Sequence, residues 1–314
     1  MIKVVFMGTP DVTVPVLHDL NHNSDNDLLA VYTSPDKESG RGRAITISPV
    51  KSYAMEHDLD LKQPVTLRNP LVQQELSKLS PDVIIVAGYG KFLPPEVLRI
   101  PAYGCLNIHP SLLPLYRGPS PVISSILSGD KSTGATLMLL DEGMDSGPII
   151  NQAEMDIESK DTAESLTKKL FTLGSGLLTK YLNGWVSGSI EPRPQNEALA
   201  TITRKINRAD GEVSWTTSTG NLVRQCRAFT PWPGLYTHWN HKLIKFHEVE
   251  LPKQMPSIKY DPGKVIHLED SELLIGITTG DGVLGIKRLQ IEGKSPTSID
   301  QFILGYPAFI GAEL

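Results

Sequence analysis

An amide and an imidazole stand two residues apart in the octapeptide Asn107–Pro114. Asn107 and His109 interrupt an apolar run that is typical of the end of a buried strand. Because residues i and i+2 of a strand share a face, both side chains should project together. Open α/β sheets bind their ligands at the ends of strands. The spacing therefore predicts a ligand-binding or catalytic site around Asn107 and His109.

Three carboxylates follow in the turn Asp141–Gly147, and the last of them, Asp145, stands 36 residues after His109. We expect this turn to bring one carboxylate, with Asp145 as the first candidate, to the Asn107 and His109 pair. Such a set suits acyl transfer without a protein nucleophile. Asn107 and protonated His109 would donate hydrogen bonds to the carbonyl oxygen that gains negative charge. Asp145 would hold the imidazolium and help to remove a proton from an attacking amine.

Simpler explanations exist for each of these residues. A lone histidine at a strand end is often a structural residue, and the acidic turn could be a solvated loop. Ser111 is too close in sequence to His109 for a usual nucleophilic pair, and no Gly-x-Ser-x-Gly surrounds it. A metal site needs more clustered ligands than His109 and distant acids provide. No metal is therefore expected.

The first part of the chain alternates strand and helix patterns, which is typical of a doubly wound α/β fold. Continuous apolar runs predict strands buried on both faces of a mostly parallel sheet, namely Ile2–Met7, Leu28–Thr33, Val83–Val86 and Leu106–His109. A further strand is predicted at Ile149–Met155, as an antiparallel edge. A long amphipathic helix is expected to begin near Asp161 and to stop at Gly184.

After about Pro192 the pattern of alternating strands and helices ends, and Ile190–Gln195 is typical of a linker. Beyond it, five short strand-like segments and one helix, Ser218–Ala228, predict a small β-barrel of the OB type. We therefore expect a Rossmann-like catalytic domain over residues 1–190, a linker over 191–205 and an OB-like domain over 206–314. No dinucleotide site is expected, because no Gly-x-Gly-x-x-Gly follows the first strand.

The composition limits the classes of function. The net charge is −5, and the part from Lys205 onward carries 12 basic and 12 acidic residues. A nucleic-acid partner must therefore be bound by local basic clusters. Two cysteines do not make a disulfide framework, and neither a signal peptide nor a membrane span is evident. We expect a cytoplasmic protein without a membrane partner.

Two loops have compositions that suit binding. The polar loop Ser34–Ser48 can present Arg41 and Arg43 to phosphates, although a solvated loop with incidental charge fits equally well. The loop Ala87–Pro95 contains two aromatic residues and two glycines. It either packs its aromatic rings on the core or offers exposed backbone to a flat heterocycle.

The octapeptide Asn107–Pro114, followed by Arg117 and Gly118, resembles the signature of folate-dependent formyltransferases. This resemblance implies that 10-formyltetrahydrofolate is the formyl donor. It also implies that Asn107, His109 and Asp145 are the catalytic residues. The donor would be bound by two loops and the acidic turn, through Ser111, Leu112, Leu113, Pro114, Lys91, Phe92, Leu93 and Asp141.

Over nearly its whole length the chain resembles the methionyl-tRNA formyltransferase family. The resemblance rests on the segments Phe6–Asp11, Ser34–Lys51 and Phe229–Gly234. It implies transfer of a formyl group to the α-amino group of the initiator Met-tRNA, by a protein that is generally monomeric. Arg41 and Arg43 would lie in a loop that enters the acceptor end of this tRNA, and the C-terminal domain would also bind it.

Two alternatives remain. The protein could formylate a small amine such as an amino-sugar nucleotide, because formyltransferases of that kind also carry a C-terminal barrel. It could also be a non-catalytic RNA-binding protein, although the complete set of Asn107, His109 and Asp145 argues against this. Pro110 stands where methionyl-tRNA formyltransferases more often have glycine. Proline there is typical of glycinamide ribonucleotide formyltransferases, which lack both the inserted loop and the barrel.

Overall fold

The computed structural model describes residues 1–39, 44–253, 261–269 and 273–314. The chain divides into two compact units that are not continuous in sequence. The first comprises Met1–Pro121, Ser132–Asp156 and Thr167–Thr203. The second comprises Val122–Lys131, Ile157–Leu166 and Arg204–Leu314. No helix among the described residues is both long and apolar enough to cross a membrane.

The first unit is built on a seven-stranded sheet. The strands described before residue 160 are β1 (Ile2–Gly8), β2 (Asn26–Tyr32), β3 (Lys37–Ser39), β4 (Ala44–Thr46), β5 (Leu61–Lys62), β6 (Val83–Ala87), β7 (Cys105–His109), β8 (Ser132–Leu139) and β9 (Ile149–Asp156). The order in the sheet is β5-β2-β1-β6-β7-β8-β9. The pairs from β5 to β7 in this order are parallel. β8 pairs antiparallel with β7, and β9 pairs antiparallel with β8. β3 and β4 form a separate two-stranded sheet.

Six α-helices lie among the described residues before residue 190: α1 (Val14–His22), α2 (Pro49–Glu56), α3 (Pro70–Lys78), α4 (Pro95–Leu98), α5 (Pro121–Ser128) and α6 (Ala163–Val186). The starts of α2 and α3 follow from local chemistry. Each has proline at its first position, and the Ser48 and Asn69 side chains before them accept backbone N–H hydrogen bonds. These two features determine where both helices begin.

Successive residues of the central strands enter different cores. Val4 and Phe6 of β1 pack on one face of the sheet, and Val5 and Met7 pack on the other. All four side chains are fully buried. This two-sided burial explains the continuous apolar runs, and it confirms the prediction of a doubly wound, mostly parallel sheet.

The second unit contains an antiparallel sheet. Its strands are β10 (Leu235–Trp239), β11 (Lys242–Glu250), β12 (Val265–His267), β13 (Ile275–Thr278), β14 (Val283–Ile291) and β15 (Thr297–Ser298), and its helices are α7 (Thr219–Ala228) and α8 (Ile299–Gly305). The order is β10-β11-β14-β13-β12, with β15 paired to β14. The small β domain predicted after residue 206 is therefore confirmed, as a separate antiparallel sheet. Neither α8 nor the short pairing of β15 was predicted.

The end of α6 corrects one prediction. The helix continues past Gly184 to Val186, so Gly184 is not its stop. Gly188, with a φ of +73°, ends it instead, and the amides of Gly188 and Ser189 donate to the carbonyls of Trp185 and Gly184. A Cβ on Gly184 would come within 2.7 Å of the Ile190 side chain. Gly184 therefore allows the chain to fold back closely on the helix.

Candidate active site

Asn107 and His109 lie at the carboxyl end of β7, where the sheet changes from parallel to antiparallel pairing. Asn107 is opposite Val86 on the parallel side and Met138 on the antiparallel side. The intervening Ile108 is buried in the core on the opposite face. The alternation of the strand therefore projects the amide and the imidazole from one face, as the sequence predicts.

His109 is held in one tautomer by its hydrogen bond. Its Nε2 lies 3.0 Å from the carbonyl oxygen of Tyr116. A carbonyl oxygen can only accept, so Nε2 carries the proton and Nδ1 is the remaining nitrogen. Nδ1 lies 3.7 Å from Oδ2 of Asp145. The structure therefore brings His109 and Asp145 together, and Nδ1 is the atom available for proton transfer.

Burial decides the charge state of His109. The side chain is 5% exposed, and loss of solvation lowers its pKa below the ordinary 6.5. The negative charge of Asp145 and the hydrogen bond to Tyr116 oppose this effect and raise the pKa. Because desolvation dominates, His109 is neutral in the free protein at pH 7. Burial therefore disfavours the protonated imidazole that was expected from the sequence.

The acidic turn places its three carboxylates differently. Asp145 has a φ of +50°, and its Oδ2 accepts a hydrogen bond of 2.7 Å from the amide of Gly118. Asp141 accepts hydrogen bonds from the Ser146 hydroxyl and the Gly143 amide, so it stabilises the turn itself. Glu142 is exposed and pairs with Arg99 at 2.9 Å. Of the three, Asp145 alone contacts His109.

The residues after His109 form a loop held by its own hydrogen bonds. The hydroxyl of the fully buried Ser111 donates to the carbonyl of Leu115 at 2.6 Å. Thr136 donates to the carbonyl of Ser111 and accepts from the amide of Leu113. Leu113 is buried beside Met138 and Ile149, and the peptide bond between Leu113 and Pro114 is cis. Ser111 and Leu113 thus shape this loop, and Leu112 is half-buried.

The loop after β6 mixes buried and exposed side chains. Lys91 donates through Nζ to the backbone carbonyls of Pro64 and Val65. Leu93 is buried, whereas Phe92 is 57% exposed. Lys91 therefore ties two loops together, and Phe92 is the apolar side chain of this loop that remains open to a ligand. Tyr89 packs in the core, as one of the two sequence interpretations expected.

Arg41 and Arg43 lie outside the described residues. The segments on either side of them are described, and β3 and β4 pair antiparallel from Lys37 opposite Thr46 to Ser39 opposite Ala44. Asp36 anchors the base of this hairpin through an ion pair of 2.5 Å to Lys51.

Three polar residues next to the site were given no role at the site by the sequence analysis. Arg117 is buried, and its guanidinium donates to the side-chain oxygens of Gln195 and Glu197. Gln195 in turn donates to the carbonyls of Asp145 and Gly147. Arg117 stands in the signature motif, but Gln195 carries no local signal because its partners lie about 50 residues away or more. Among the described residues, no group of three or more His, Cys, Asp or Glu could hold a metal ion.

Gly118 offers a test of the site's backbone. Its φ is +101°, and an added Cβ would lie 2.9 Å from the carbonyl oxygen of Thr203. We expect Gly118→Ala to lower the free energy of unfolding by more than about 1 kcal/mol, because alanine is strained at positive φ. Urea unfolding at pH 7 measures this change.

Gly176→Ala is the matched control for that substitution. Gly176 is an exposed residue of α6, and its added Cβ would meet nothing within 4 Å. This variant should be as stable as the original or slightly more stable. Equal stability of the two variants would contradict the account of Gly118.

Comparison with known proteins identifies the class. The family model described as formyl transferase matches residues 2–182, and that of the formyl transferase C-terminal domain matches residues 205–307. The chain belongs to the formyl transferase family and is an enzyme of that class.

Within the family, its relatives include methionyl-tRNA formyltransferases. That of Dehalococcoides mccartyi (strain CBDB1) is 40% identical over 100% of this chain and 98% of the relative. That of Hydrogenovibrio crunogenus is 40% identical over 93% of this chain and 92% of the relative. The resemblance described from the sequence is therefore confirmed along the whole chain.

Solved structures support the fold. An N-formyltransferase from Helicobacter canadensis, in complex with folinic acid and dTDP-3-aminofucose, matches with a TM-score of 0.66 and 22% identity, over 91% of this chain and 98% of that one. HypX from Aquifex aeolicus, in complex with tetrahydrofolic acid, matches with a TM-score of 0.63 and 18% identity, over 99% of this chain. This chain spans about half of HypX, 48% of its length.

Proposed function

We propose that the protein transfers the formyl group of 10-formyltetrahydrofolate to the α-amino group of methionyl-initiator tRNA. The observation that carries this proposal is the His109–Asp145 contact beside Asn107, in a chain 40% identical to methionyl-tRNA formyltransferases over its full length. The product would be N-formylmethionyl-tRNA, which serves translation initiation. We place the protein in the cytoplasm as a monomer.

Asn107 is the proposed donor to the oxygen that gains negative charge when the amine attacks. The Asn107 side chain is half-buried and shares the His109 face of β7. A hydrogen bond from the Asn107 amide would be strongest when the charge has developed, so it would stabilise the transition state more than the bound substrates.

His109 and Asp145 are the proposed proton-transfer pair. His109 is neutral before the reaction, so Nδ1 can take a proton from the attacking amine. The imidazolium that forms is stabilised by Asp145 at 3.7 Å and by the carbonyl of Tyr116 at 3.0 Å. His109 can then return the proton to the departing nitrogen. The amine of the substrate is the nucleophile, and no acyl-enzyme is required.

The loops around this pair suit a folate donor. We propose that Ser111, Leu112, Leu113 and Pro114 bind it together with Lys91, Phe92, Leu93 and Asp141. The exposed ring of Phe92 and the half-buried Leu112 would supply apolar contacts, while Ser111, Leu113 and Lys91 would fix the loop backbones. When bound, the donor supplies an activated formyl carbon to the amine.

The proposed domains have different roles in catalysis and in tRNA binding. Residues 1–190 would form the catalytic domain, residues 191–205 the linker and residues 206–314 the tRNA-binding domain. The compact first unit, however, continues to Thr203, and Val122–Lys131 and Ile157–Leu166 group with the second unit. Residues of the proposed linker therefore belong structurally with the catalytic sheet.

A second candidate acceptor is an amino-sugar nucleotide, which the Helicobacter canadensis neighbour binds as dTDP-3-aminofucose. Its identity of 22% supports the fold rather than the substrate. The purified protein should be assayed with 10-formyltetrahydrofolate against charged initiator tRNA and against dTDP-3-aminofucose. Formylation of Met-tRNA alone is expected. Formylation of the sugar alone would contradict this proposal and would favour the amino-sugar nucleotide as the acceptor.

Arg41 provides a test of tRNA binding. We expect Arg41→Ala to raise the KM for Met-tRNA on the order of tenfold, the lower end of the range for a charge-assisted hydrogen bond, with kcat unchanged. The salt dependence of binding should also weaken, because one phosphate contact fewer releases fewer counterions.

Lys78→Ala is the control for that variant, because Lys78 is an exposed cation at the end of α3. Its KM for Met-tRNA should stay at the original value. If Arg41→Ala kinetics match those of Lys78→Ala, the loop at Arg41 has no role in tRNA binding.

A further inference from the structure

Part of the predicted linker lies against the proposed catalytic residues. We call residues 193–203 the strap. At one end Arg193 pairs with Ile149, the first residue of β9. Near the other end the strap forms a parallel bridge with Arg117, whose amide donates to Thr201 and whose carbonyl accepts from Thr203. The strap therefore runs beside the segment that contains Tyr116 and beside the end of the turn that contains Asp145.

Gln195 spans the gap between Arg117 and the acidic turn. Its amide nitrogen donates to the carbonyl of Asp145 at 2.8 Å and to that of Gly147 at 2.7 Å. Its amide oxygen accepts from Nε and Nη2 of Arg117 at 3.0 and 2.8 Å. Both N–H groups of the amide are thus used on the turn that presents the Asp145 carboxylate.

Arg117 determines the orientation of Gln195. The guanidinium has donors only, so a reversed amide would place N–H groups against N–H groups. Arg117 is itself 6% exposed and forms a two-pronged ion pair with Glu197, at 2.9 and 2.7 Å. This buried guanidinium has little freedom to rotate, so the Gln195 N–H groups must face the turn.

The two residues that contact His109 both have positive φ angles. Asp145 has a φ of +50° and Tyr116 a φ of +61°. For Tyr116 such a conformation costs about 1–2 kcal/mol, whereas the short polar side chain of aspartate tolerates it better. The strap holds both of them, because Gln195 binds the Asp145 carbonyl and the Thr201 hydroxyl accepts from the Tyr116 amide at 2.7 Å. Both residues are therefore held by hydrogen bonds from outside their own loops.

From these contacts we propose that Gln195 is a positioning residue for the transfer reaction, oriented by Arg117 and acting through Asp145. This inference rests on the proposed function, because it assigns Gln195 a part in that reaction. Gln195 contacts the backbone of the turn and leaves the Asp145 carboxylate free to face His109. The reaction would therefore depend on a residue far from the signature motif in sequence.

Gln195→Met tests this proposal, because methionine has a similar length but cannot donate to the two carbonyls. We expect kcat to fall roughly 10- to 100-fold, since small displacements of a reacting group can cost that much. The KM values for Met-tRNA and for the folate donor should stay within about threefold. Gln195→Asn keeps the amide on a shorter stem, so it should lower kcat in the same direction while disturbing the fold less.

Two further measurements separate positioning from a structural role. Gln74→Met makes the same change at an exposed position of α3 and should leave kcat, KM and the thermal midpoint unchanged. The amide of Gly118 donates to Asp145, so its hydrogen exchange should become faster in both Gln195 variants and stay unchanged in the Gln74 variant.

The outcomes distinguish this inference from the proposed function. If the original protein transfers formyl and folded Gln195 variants keep the original kcat, or change only KM, the positioning role is wrong. If the original protein shows no transfer, the proposed function is wrong. Gly118 exchange still tests the contact in that case: faster exchange in the Gln195 variants supports it, and unchanged exchange overturns it.

Discussion

Replacing His109 or Asn107 should nearly abolish formyl transfer while leaving folate binding in place. His109→Gln removes the proton acceptor at Nδ1 and should lower kcat by about 100- to 10,000-fold, the usual contribution of a general base. Asn107→Ala removes one donor to the developing negative charge and should cost about 100- to 1000-fold. Single-turnover assays at saturating substrate measure both losses, and fluorescence titration measures the affinity for the folate donor.

Two control variants accompany these substitutions. His57 is exposed near the end of α2, and Asn183 lies on α6 with its amide bonded to Asp25. His57→Gln and Asn183→Ala should keep the original kcat. A His109→Gln protein with the original rate, in a folded state, would remove His109 from the proposed reaction.

Asp145→Asn should have the second large effect, because it removes a charge while keeping the shape of the side chain. The asparagine oxygen can still accept from the Gly118 amide, so the turn should remain folded. The imidazolium formed during transfer would lose its carboxylate, and we expect kcat to fall about 100-fold or more. Glu142→Gln, at the exposed carboxylate of the same turn, is the matched control and should leave kcat unchanged.

The same substitution has a predictable effect on the titration of His109. Burial lowers the pKa of His109 below 6.5, and the charge of Asp145 raises it from the value that burial alone would give. The pKa should therefore fall further in Asp145→Asn. In a profile of kcat/KM against pH, the loss of activity on the acidic side should occur below pH 6.5. In Asp145→Asn this loss should move to lower pH. An NMR titration of His109 that shows a higher pKa in Asp145→Asn would contradict this electrostatic description.

The free energy of unfolding should also depend on pH through His109. Above pH 6.5 His109 is neutral in both the folded and the unfolded chain, so it contributes no pH dependence there. As the pH falls from 6.5 toward the lowered pKa, only the unfolded chain takes up the proton, and the contribution of His109 to the free energy of unfolding decreases.

The predictable part of the fold was encoded locally. The apolar runs of β1 and β6 and the two-residue spacing of Asn107 and His109 are short-range patterns. Each describes a segment whose neighbours in space follow from the element type. Such patterns predicted the sheet and the shared face of Asn107 and His109.

The remaining features depend on contacts between distant residues. Gln195 reads as a linker residue because its neighbours are Pro194 and Asn196, whereas its partners Asp145 and Arg117 lie 50 and 78 residues away. Gly184 looked like a helix stop because only the folded chain shows Ile190 packing on it. The neutral state of His109 likewise depends on burial, and a sequence motif does not report burial. These features required the tertiary structure.

The path of a labelled formyl group tests most directly whether transfer goes straight from the folate donor to the amine. The protein is mixed with radiolabelled 10-formyltetrahydrofolate and Met-tRNA in a single-turnover experiment, and the protein and the tRNA are separated after quenching. We expect the label to pass to the methionyl amine of the tRNA without a labelled protein at any time, and His109→Gln should slow this transfer. Label bound covalently to the protein, or no label in the tRNA, would contradict it.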